Sequence, residues 1–172
     1  AGALIKDAAR AVGGGGGGKG DIATAGGKNA EGIPEALRIA ADAVGNLFIS
    51  DGANHRVRKV STSGVITTIA GSGSATYGGD GGSALAAGLG FPTAVAVDSS
   101  GNVYVVDTNR VRKIETGGSI TVVAGNGNYQ YTGEGGLATA TGMDPKGVAL
   151  DKAGNLYIAD LWSTRILKVS RG

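Results

Sequence analysis

The sequence predicts an all-β fold, a β-propeller built of four-stranded blades with three blades in the chain. A motif that runs from Pro92 to Asp107 recurs from Pro145 to Asp160 and, more loosely, from Pro34 to Asp51. The Gly-Asn pairs inside the motif recur at intervals of 56 and 53 residues, a period expected of propeller blades rather than of helical solenoids. Its longer apolar runs do not alternate with polar residues, so they need cover on both faces of a sheet.

Each repeat begins with a predicted β-hairpin. A short apolar strand leads to an aspartate, a turn follows that closes on Gly-Asn, and a second apolar strand comes next. Glycine and asparagine tolerate positive φ at little cost, so this pair between two apolar runs indicates a tight turn. The second strands are predicted at 47–50, 103–106 and 156–159.

Two further strands complete each predicted blade. A third strand, more polar and therefore expected further out, is predicted at 56–60, 110–114 and 165–169. A fourth, rich in β-branched residues, is predicted at 64–71 and 119–125. Four strands per unit are typical of propeller blades.

The predicted domain boundaries follow from these units. Residues 1–19 are expected to form a helix-like segment and a glycine tether, Gly13 to Gly18, and residues 20–172 the propeller blades. Within the second part we expect an orphan strand at 20–27, blades at 34–71 and 92–125, and an incomplete blade at 145–172. Glycine-rich connectors, each with one acidic residue, Asp80 or Glu134, join the blades and are expected to be structural turns.

Composition excludes several function classes. The chain has 172 residues, 41% of them apolar, 34 glycines, no cysteine and a net charge of +2. The lack of cysteine removes disulfides, thiol nucleophiles and zinc–thiolate sites, and the basic residues are spread through the repeats rather than gathered into the stripe typical of nucleic-acid binders. No run reaches the roughly 18 apolar residues of a membrane span. The compartment stays open, with a secreted or cell-surface bacterial location favoured.

Four segments in fixed order resemble bacterial NHL repeats over about residues 20 to 172. They are Gly101 to Asp107, Asn54 to Val60, Val65 to Gly71 and Gly79 to Gly82. NHL domains commonly form six-bladed propellers, so the resemblance implies half of a ring, with two open blade faces and an unpaired edge. We therefore expect either a homodimer, in which each N-terminal strand completes the partner's last blade, or a filament, or further blades of a longer chain.

The expected function is a non-enzymatic scaffold that binds a protein or another ligand such as a carbohydrate, or that self-assembles into a larger surface or extracellular structure. Loops at the ends of the second strands are expected to form a ligand rim. We expect Asp51, Asp107 and Asp160 to pair with the arginines that begin the third strands. The predicted rim consists of His55, Arg56, Arg110, Trp162 and Arg165.

The family resemblance also leaves two other functions open. Some NHL relatives are metal-dependent lyases that use several histidines, and some lactone hydrolases of six-bladed propeller type use carboxylate and asparagine ligands. His55 is the only histidine of this chain, so no catalytic residue, metal or cofactor is predicted. RNA binding, known for some eukaryotic NHL domains, is a further alternative that the dispersed charge disfavours.

Overall fold

The computed structural model describes residues 15–19, 22–26 and 39–170, and it shows consecutive antiparallel sheets of four, four and three strands. Blade 1 consists of β3 (Ile39–Ala41), β4 (Leu47–Asp51), β5 (Arg56–Val60) and β6 (Ile66–Ala70). Blade 2 consists of β7 (Pro92–Val97), β8 (Val103–Asp107), β9 (Arg110–Ile114) and β10 (Ile120–Ala124). Blade 3 consists of β11 (Pro145–Leu150), β12 (Leu156–Asp160) and β13 (Arg165–Val169).

The strand order within each sheet follows the chain, as the repeat predicts, and the first hairpin of each blade is held by the same side chains. In blade 2 the Asp98 carboxylate accepts the backbone N–H groups of Ser100 and Asn102 at 2.9 and 2.8 Å, and its other oxygen accepts the Asn102 side chain at 2.8 Å. Gly101 has φ +84°, which this tight turn requires and which glycine adopts without strain. The Gly-Asn signal therefore marks a turn capped by the preceding aspartate.

Blade 2 is covered on both faces, as its unbroken apolar runs predict. Val105 lies in a core shared with blade 1, where it packs with Phe48 and Val57. Val106, the next residue along β8, lies in a second core with Leu156 and Ile158 of blade 3. Successive residues of one strand thus bury against different blades, which is the packing expected of propeller wedges.

The connector between blades 1 and 2 also pairs with the outer strand of blade 2. Ile120 donates its N–H to the Gly82 carbonyl at 3.1 Å and accepts from Gly81 at 2.7 Å. Two short 3₁₀ turns lie in the alanine-rich stretches, Ala84–Ala86 in this connector and Ala138–Ala140 in the next. The connector between blades 1 and 2 is therefore part of the blade that follows it.

The third strands are not all as exposed as their polarity predicts. The β9 side chain of Arg112 has no exposed surface, although it lies in a strand expected to be more polar and peripheral. The reason is that connector and aspartate groups satisfy its charge, so polarity here does not indicate exposure.

Two short strands are described near the N-terminus, and the first of them includes part of the glycine run predicted as a tether. Gly15–Lys19 (β1) pairs with Ile22–Gly26 (β2) as a two-stranded sheet, in a register that joins Gly15 to Gly26 and Lys19 to Ile22. The strand Ile22–Gly26 falls within the orphan strand predicted at 20–27, and among the described residues it pairs with Gly15–Lys19 and with no blade strand. The predicted helix-like segment at the N-terminus lies outside the described residues.

Both ends of the blade array are open within the described part of the chain. Ile166 of blade 3 is 67% exposed, whereas Val57 and Val111, at the same position of blades 1 and 2, are fully buried by the blade that follows. On blade 1, Ile66 is 52% exposed, whereas its counterpart Ile120 is fully buried. Among the described residues, no helix has the length and apolar character needed to cross a membrane.

Candidate functional site

The five residues of the predicted rim all lie in or next to the loops that join the second and third strands. Because these loops occupy the same edge of each sheet, the blades present them on one side of the array. The structure divides them, however, into two sets. His55, Arg56 and Arg110 are held in the joints between neighbouring segments, whereas Trp162 and Arg165 lie exposed on blade 3.

His55 connects blade 1 to the segment that leads into the first strand of blade 2. Its backbone is left-handed, with φ 54°, and its N–H donates to the Gly52 carbonyl at 3.1 Å. The ring Nδ1 lies 2.8 Å from the Gly90 carbonyl oxygen, so the proton is on Nδ1 in this arrangement. This contact gives the only histidine a role in joining blades.

Arg56 and Arg110 each bind the segment that follows the fourth strand of their own blade. The Arg56 guanidinium donates to the Ser72 carbonyl at 3.3 Å and that of Arg110 to the Asn126 carbonyl at 3.1 Å. Arg110 also lies 3.9 Å from the centre of the Tyr77 ring, a cation–π contact with the connector ahead of its blade. Both arginines therefore hold blade segments together.

The predicted pairing of these arginines with the strand-end aspartates is wrong. The register places Asp107 opposite Arg110, but the Asp107 carboxylate accepts the Phe91 N–H at 3.0 Å and Arg112 Nη1 at 3.2 Å instead. Asp160 likewise accepts the Asp144 N–H at 2.7 Å. Each of these carboxylates points toward the connector before its own blade, where it accepts a partly buried backbone N–H group.

Arg112 holds the connector between blades 1 and 2 and is the main polar residue that the sequence analysis missed. It donates to Asp80 at 3.0 Å, to Asp107 at 3.2 Å, and to the carbonyls of Gly88 and Gly78 at 2.8 and 2.9 Å. Two carboxylates and two carbonyls thus satisfy a fully buried guanidinium. The available signal was the shared position of Arg58 and Arg112 in the RVRK segments of blades 1 and 2.

The phenol of Tyr77 belongs to the same cluster. Partial burial, followed by its hydrogen bond to the Asp80 carboxylate, raises the pKa of Tyr77 above its usual value. The nearby guanidinium groups of Arg110 and Arg112 oppose that pKa shift without cancelling it. Tyr77 therefore stays a neutral hydrogen-bond donor at neutral pH.

Blade 3 carries an exposed cluster, the aromatic patch, which consists of Tyr129, Tyr131, Trp162 and Arg165. Trp162 is 57% and Tyr129 50% exposed, and their rings meet edge to face with centroids 5.1 Å apart. Arg165 lies 5.1 Å from the centre of the Tyr131 ring. Its guanidinium also contacts Glu134 at 3.4 Å, and both side chains are more than half exposed. The patch therefore places two exposed aromatic rings beside an accessible ion pair.

A concave surface lies at the edge of the sheets opposite to the predicted rim. This cleft of about 750 Å³ opens between blades 1 and 2. Phe48 and Ile114 line its apolar side, and Lys59 and Glu115 bring opposite charges. The cleft contains none of the residues of the predicted rim. Among the described residues, no group of three or more His, Asp or Glu side chains is placed to hold a metal ion.

Known proteins similar to this chain agree with the blade pattern. Residues 73–132 match the family of the Teneurin NHL domain. Teneurin-1 of Gallus gallus is 31% identical over 137 residues, which make up 72% of this chain and 5% of that protein. The chain belongs to the NHL-repeat β-propeller family.

Solved structures show the same fold. A protein of unknown function from Bacteroides thetaiotaomicron is 26% identical, with a TM-score of 0.61 over 72% of this NHL chain and 32% of that chain. An auxiliary nutrient binding protein from Bacteroides ovatus is 21% identical, with a TM-score of 0.58, and the match covers 77% of this chain and 36% of that chain. A putative gluconolactonase is 14% identical, with a TM-score of 0.55, and the match covers 78% of this chain and 44% of that chain. This NHL chain therefore spans less than half the length of each of these propellers.

The N-terminal part of the NHL chain is similar to a different family. Residues 1–46 match the DHHA1 domain, and the alanine–tRNA ligase of Chlorobium phaeovibrioides is 61% identical over 44 residues, 26% of this chain and 5% of the ligase. This match includes the six-glycine run and the strand predicted at 20–27. The resemblance to NHL repeats extends from about residue 20 onward, so it overlaps the DHHA1 match up to residue 46.

Proposed function

We propose that this NHL chain is a non-enzymatic binding module whose aromatic patch takes a carbohydrate or peptide ligand. The observation that carries the proposal is the edge-to-face pair of Trp162 and Tyr129, two large rings that are each at least half exposed. Exposed tryptophan and tyrosine offer a rigid contact area at a low cost in conformational entropy. Sugars stack on such rings, and peptides bind to them through apolar side chains.

The charges beside the rings support the same function. Arg165 and Glu134 lie 3.4 Å apart at an exposed site, where an ion pair contributes little to stability. Both groups are therefore available as a donor and an acceptor for ligand hydroxyl or amide groups. Because the gluconolactonase and nutrient-binding structures are under 25% identical, they bear on the fold alone and favour neither an enzyme nor a particular ligand.

The single tryptophan makes the proposal directly testable. We expect one or more ligands from glycan and peptide arrays to change Trp162 fluorescence in a saturable titration with the intact chain. Trp162→Ala and Tyr129→Ala should each weaken binding by about tenfold or more, as measured by calorimetry. Val44→Ala, which removes an exposed apolar side chain of blade 1, is the matched control and should leave affinity unchanged. If the Trp162→Ala and Tyr129→Ala variants bind the ligand as tightly as the unaltered chain does, the role of the patch is refuted.

We also propose that the open faces of blades 1 and 3 assemble with other blades. The support is the exposure of Ile166 and Ile66, whose counterparts in covered positions are fully buried. Exposed apolar residues on a sheet face are typical of association surfaces. The added blades come from a second copy, in a closed ring or a filament, or from further blades of a longer chain.

The boundary of the propeller segment is best placed between residues 27 and 38. The DHHA1 match covers residues 1–46, strand β2 ends at Gly26, and the first blade strand begins at Ile39. We therefore propose that the NHL segment begins near Ile39. The similarity to alanine–tRNA ligases covers only 5% of those enzymes and supports no aminoacylation activity for this chain.

A further inference from the structure

Blades 1 and 2 carry an arginine at the same position of the third strand, but only one of the two is satisfied. Arg58 lies opposite Ile49 in blade 1, and Arg112 lies opposite Val105 in blade 2. Arg112 is fully buried and bonded to two carboxylates and two carbonyls. In the described part of the chain, Arg58 Nε is buried without a hydrogen-bond partner. A buried donor without an acceptor is costly, so blade 1 lacks a group that blade 2 has.

Blade 2 shows what that group is. The connector ahead of blade 2 brings Asp80 to Arg112 Nε at 3.0 Å and two glycine carbonyls to the other guanidinium nitrogens. The same connector pairs with the outer strand through Gly81, Gly82 and Ile120. One acidic glycine-rich segment therefore satisfies the arginine and covers the outer strand of the blade at the same time.

The outer strand of blade 1 lacks the same cover. Ile66 is 52% exposed, whereas Ile120, the counterpart that lies against the connector, is fully buried. Val65, next to Ile66, is 58% exposed. The buried donor of Arg58 and the exposed edge at Ile66 are separate observations, and one connector would account for both.

We propose that the open face of blade 1 binds the acidic Gly-Gly connector of a further NHL-type blade, with Arg58 as the residue that receives its carboxylate. This inference deepens the assembly proposed above. The charges are complementary, since Arg58 is cationic and the two connectors of this chain carry Asp80 and Glu134 at equivalent places. A guanidinium and a carboxylate form a charge-assisted pair with fixed geometry.

The two connectors of the described residues already lie ahead of blades 2 and 3, so the partner connector belongs to a further blade. Asp80 bonds to Arg112 of its own chain, and Glu134 lies in the connector ahead of blade 3 beside the exposed Arg165. The segment that precedes blade 1 matches the DHHA1 domain rather than an NHL repeat. Blade 3 has Leu167 at the equivalent position, so a receptor arginine is a feature of particular blades and not of every repeat.

A cyclic peptide with the sequence of residues 74–91 is the probe. Within the chain, Gly78 and Gly88 form a β-bridge, so joining the ends of the peptide favours the bound loop shape. The peptide carries a fluorescent label, and its affinity for the intact chain is measured by anisotropy, with the Arg58 Nε–H signal followed by NMR. We expect saturable binding and a shift of that NMR signal.

Three variants give the test its specificity. Arg58→Leu, a side chain that β13 already accommodates at Leu167, should weaken binding by about tenfold or more. A peptide with Asp80→Asn should bind the unaltered chain with affinity reduced by a similar factor. The two changes combined should reduce the affinity little more than either change alone, because both remove the same ion pair. Lys59→Met, the neighbouring cation of β5, is the matched control and should bind as the unaltered chain does.

The possible failures are distinct. Equal affinity of the Arg58→Leu chain, with its circular dichroism unchanged, overturns the inference. The inference is also overturned if about 1 mM peptide, a concentration that detects even weak specific binding, gives neither binding nor an NMR shift. Neither result bears on self-association or on the aromatic patch, which are measured without this peptide.

Discussion

At the scale of single residues, a few polar side chains hold the blades together. Arg112→Leu would leave the Asp107 carboxylate buried without its cation, because neither side chain has exposed surface. Loss of one partner of such a pair costs about 3–5 kcal/mol of unfolding free energy. We expect urea unfolding to show a loss of that size.

The matched control for Arg112 is the arginine at the same strand position of blade 1. Arg58→Leu removes a group that has no hydrogen-bond partner at Nε among the described residues, and it should change the unfolding free energy by about 1 kcal/mol or less. Equal losses for the two variants would show that the connector cluster does not stabilise the fold.

Backbone sterics at the end of the fourth strand give a second prediction at this scale. Gly125 has φ +90°, and an added Cβ would lie 2.8 Å from the Cα of Arg110, too close for any side chain. Gly125→Ala should therefore destabilise the chain by roughly 1–3 kcal/mol in urea unfolding. Gly136→Ala, at a site with nothing within 4 Å and no positive φ, should stay within about 0.5 kcal/mol. A small effect at Gly125 would contradict this packing.

Residue patterns predicted the turns but not the buried arginine. Asp98 and Asn102 interact over four positions, so the local sequence contains the whole turn. Arg112 bonds to Asp80 across 32 positions and to Gly78 across 34. No local pattern reveals that pairing, and the strand containing Arg112 was for that reason predicted to be more exposed than it is. Likewise, the rim residues were identified by loop position, and only the structure separates Trp162 and Arg165 from the arginines in the joints.

At the scale of elements, the capped turn predicts a pH effect. The side-chain hydrogen bond from Asn155 lowers the pKa of Asp151, and bonds from the Asn155 backbone and Tyr157 act in the same direction. Because its pKa is depressed in the folded state, this carboxylate contributes stability above its unfolded pKa. That contribution is lost as the pH falls through the folded pKa.

Asn155→Ala tests that effect. It removes the 2.7 Å bond to Asp151 and should raise the Asp151 pKa toward its ordinary value, measured by a carbon-13 NMR pH titration of the carboxyl group. Asn109→Ala, which removes a bond to the Gly127 carbonyl in blade 2, is the control and should leave that titration unchanged. An unaltered Asp151 pKa in the Asn155→Ala variant would argue against the cap.

The strand order was predictable at this scale because each blade follows the chain and repeats its turn signals. Predicted second strands such as 103–106 agree with β8, Val103–Asp107, to within one residue. The N-terminal hairpin was not predictable in the same way. The glycines of Gly15–Lys19 carry no hydrophobic pattern, so neither their pairing with Ile22–Gly26 nor their similarity to another family could be read from periodicity.

At the scale of the whole molecule, the open end of blade 3 predicts association. Three blades leave Ile166 67% exposed where the equivalent Val111 is fully buried by the next blade, and such a surface is stabilised when a blade covers it. The ring proposed for two copies depends on these faces, since β2 pairs with β1 and joins no blade of its own chain.

Light scattering after size exclusion measures that association. We expect a mass of about twice 16.8 kDa at micromolar concentration for a closed two-chain ring, and a larger, concentration-dependent mass for a filament. Ile166→Lys places a charge on the buried side of the interface and should shift the chain toward the monomer mass. Val44→Lys, at a 72% exposed turn residue of blade 1, should not. A stable monomer of the unaltered chain would refute self-association and leave further blades of a longer chain as the cover for blade 3, because an exposed apolar blade face still requires one.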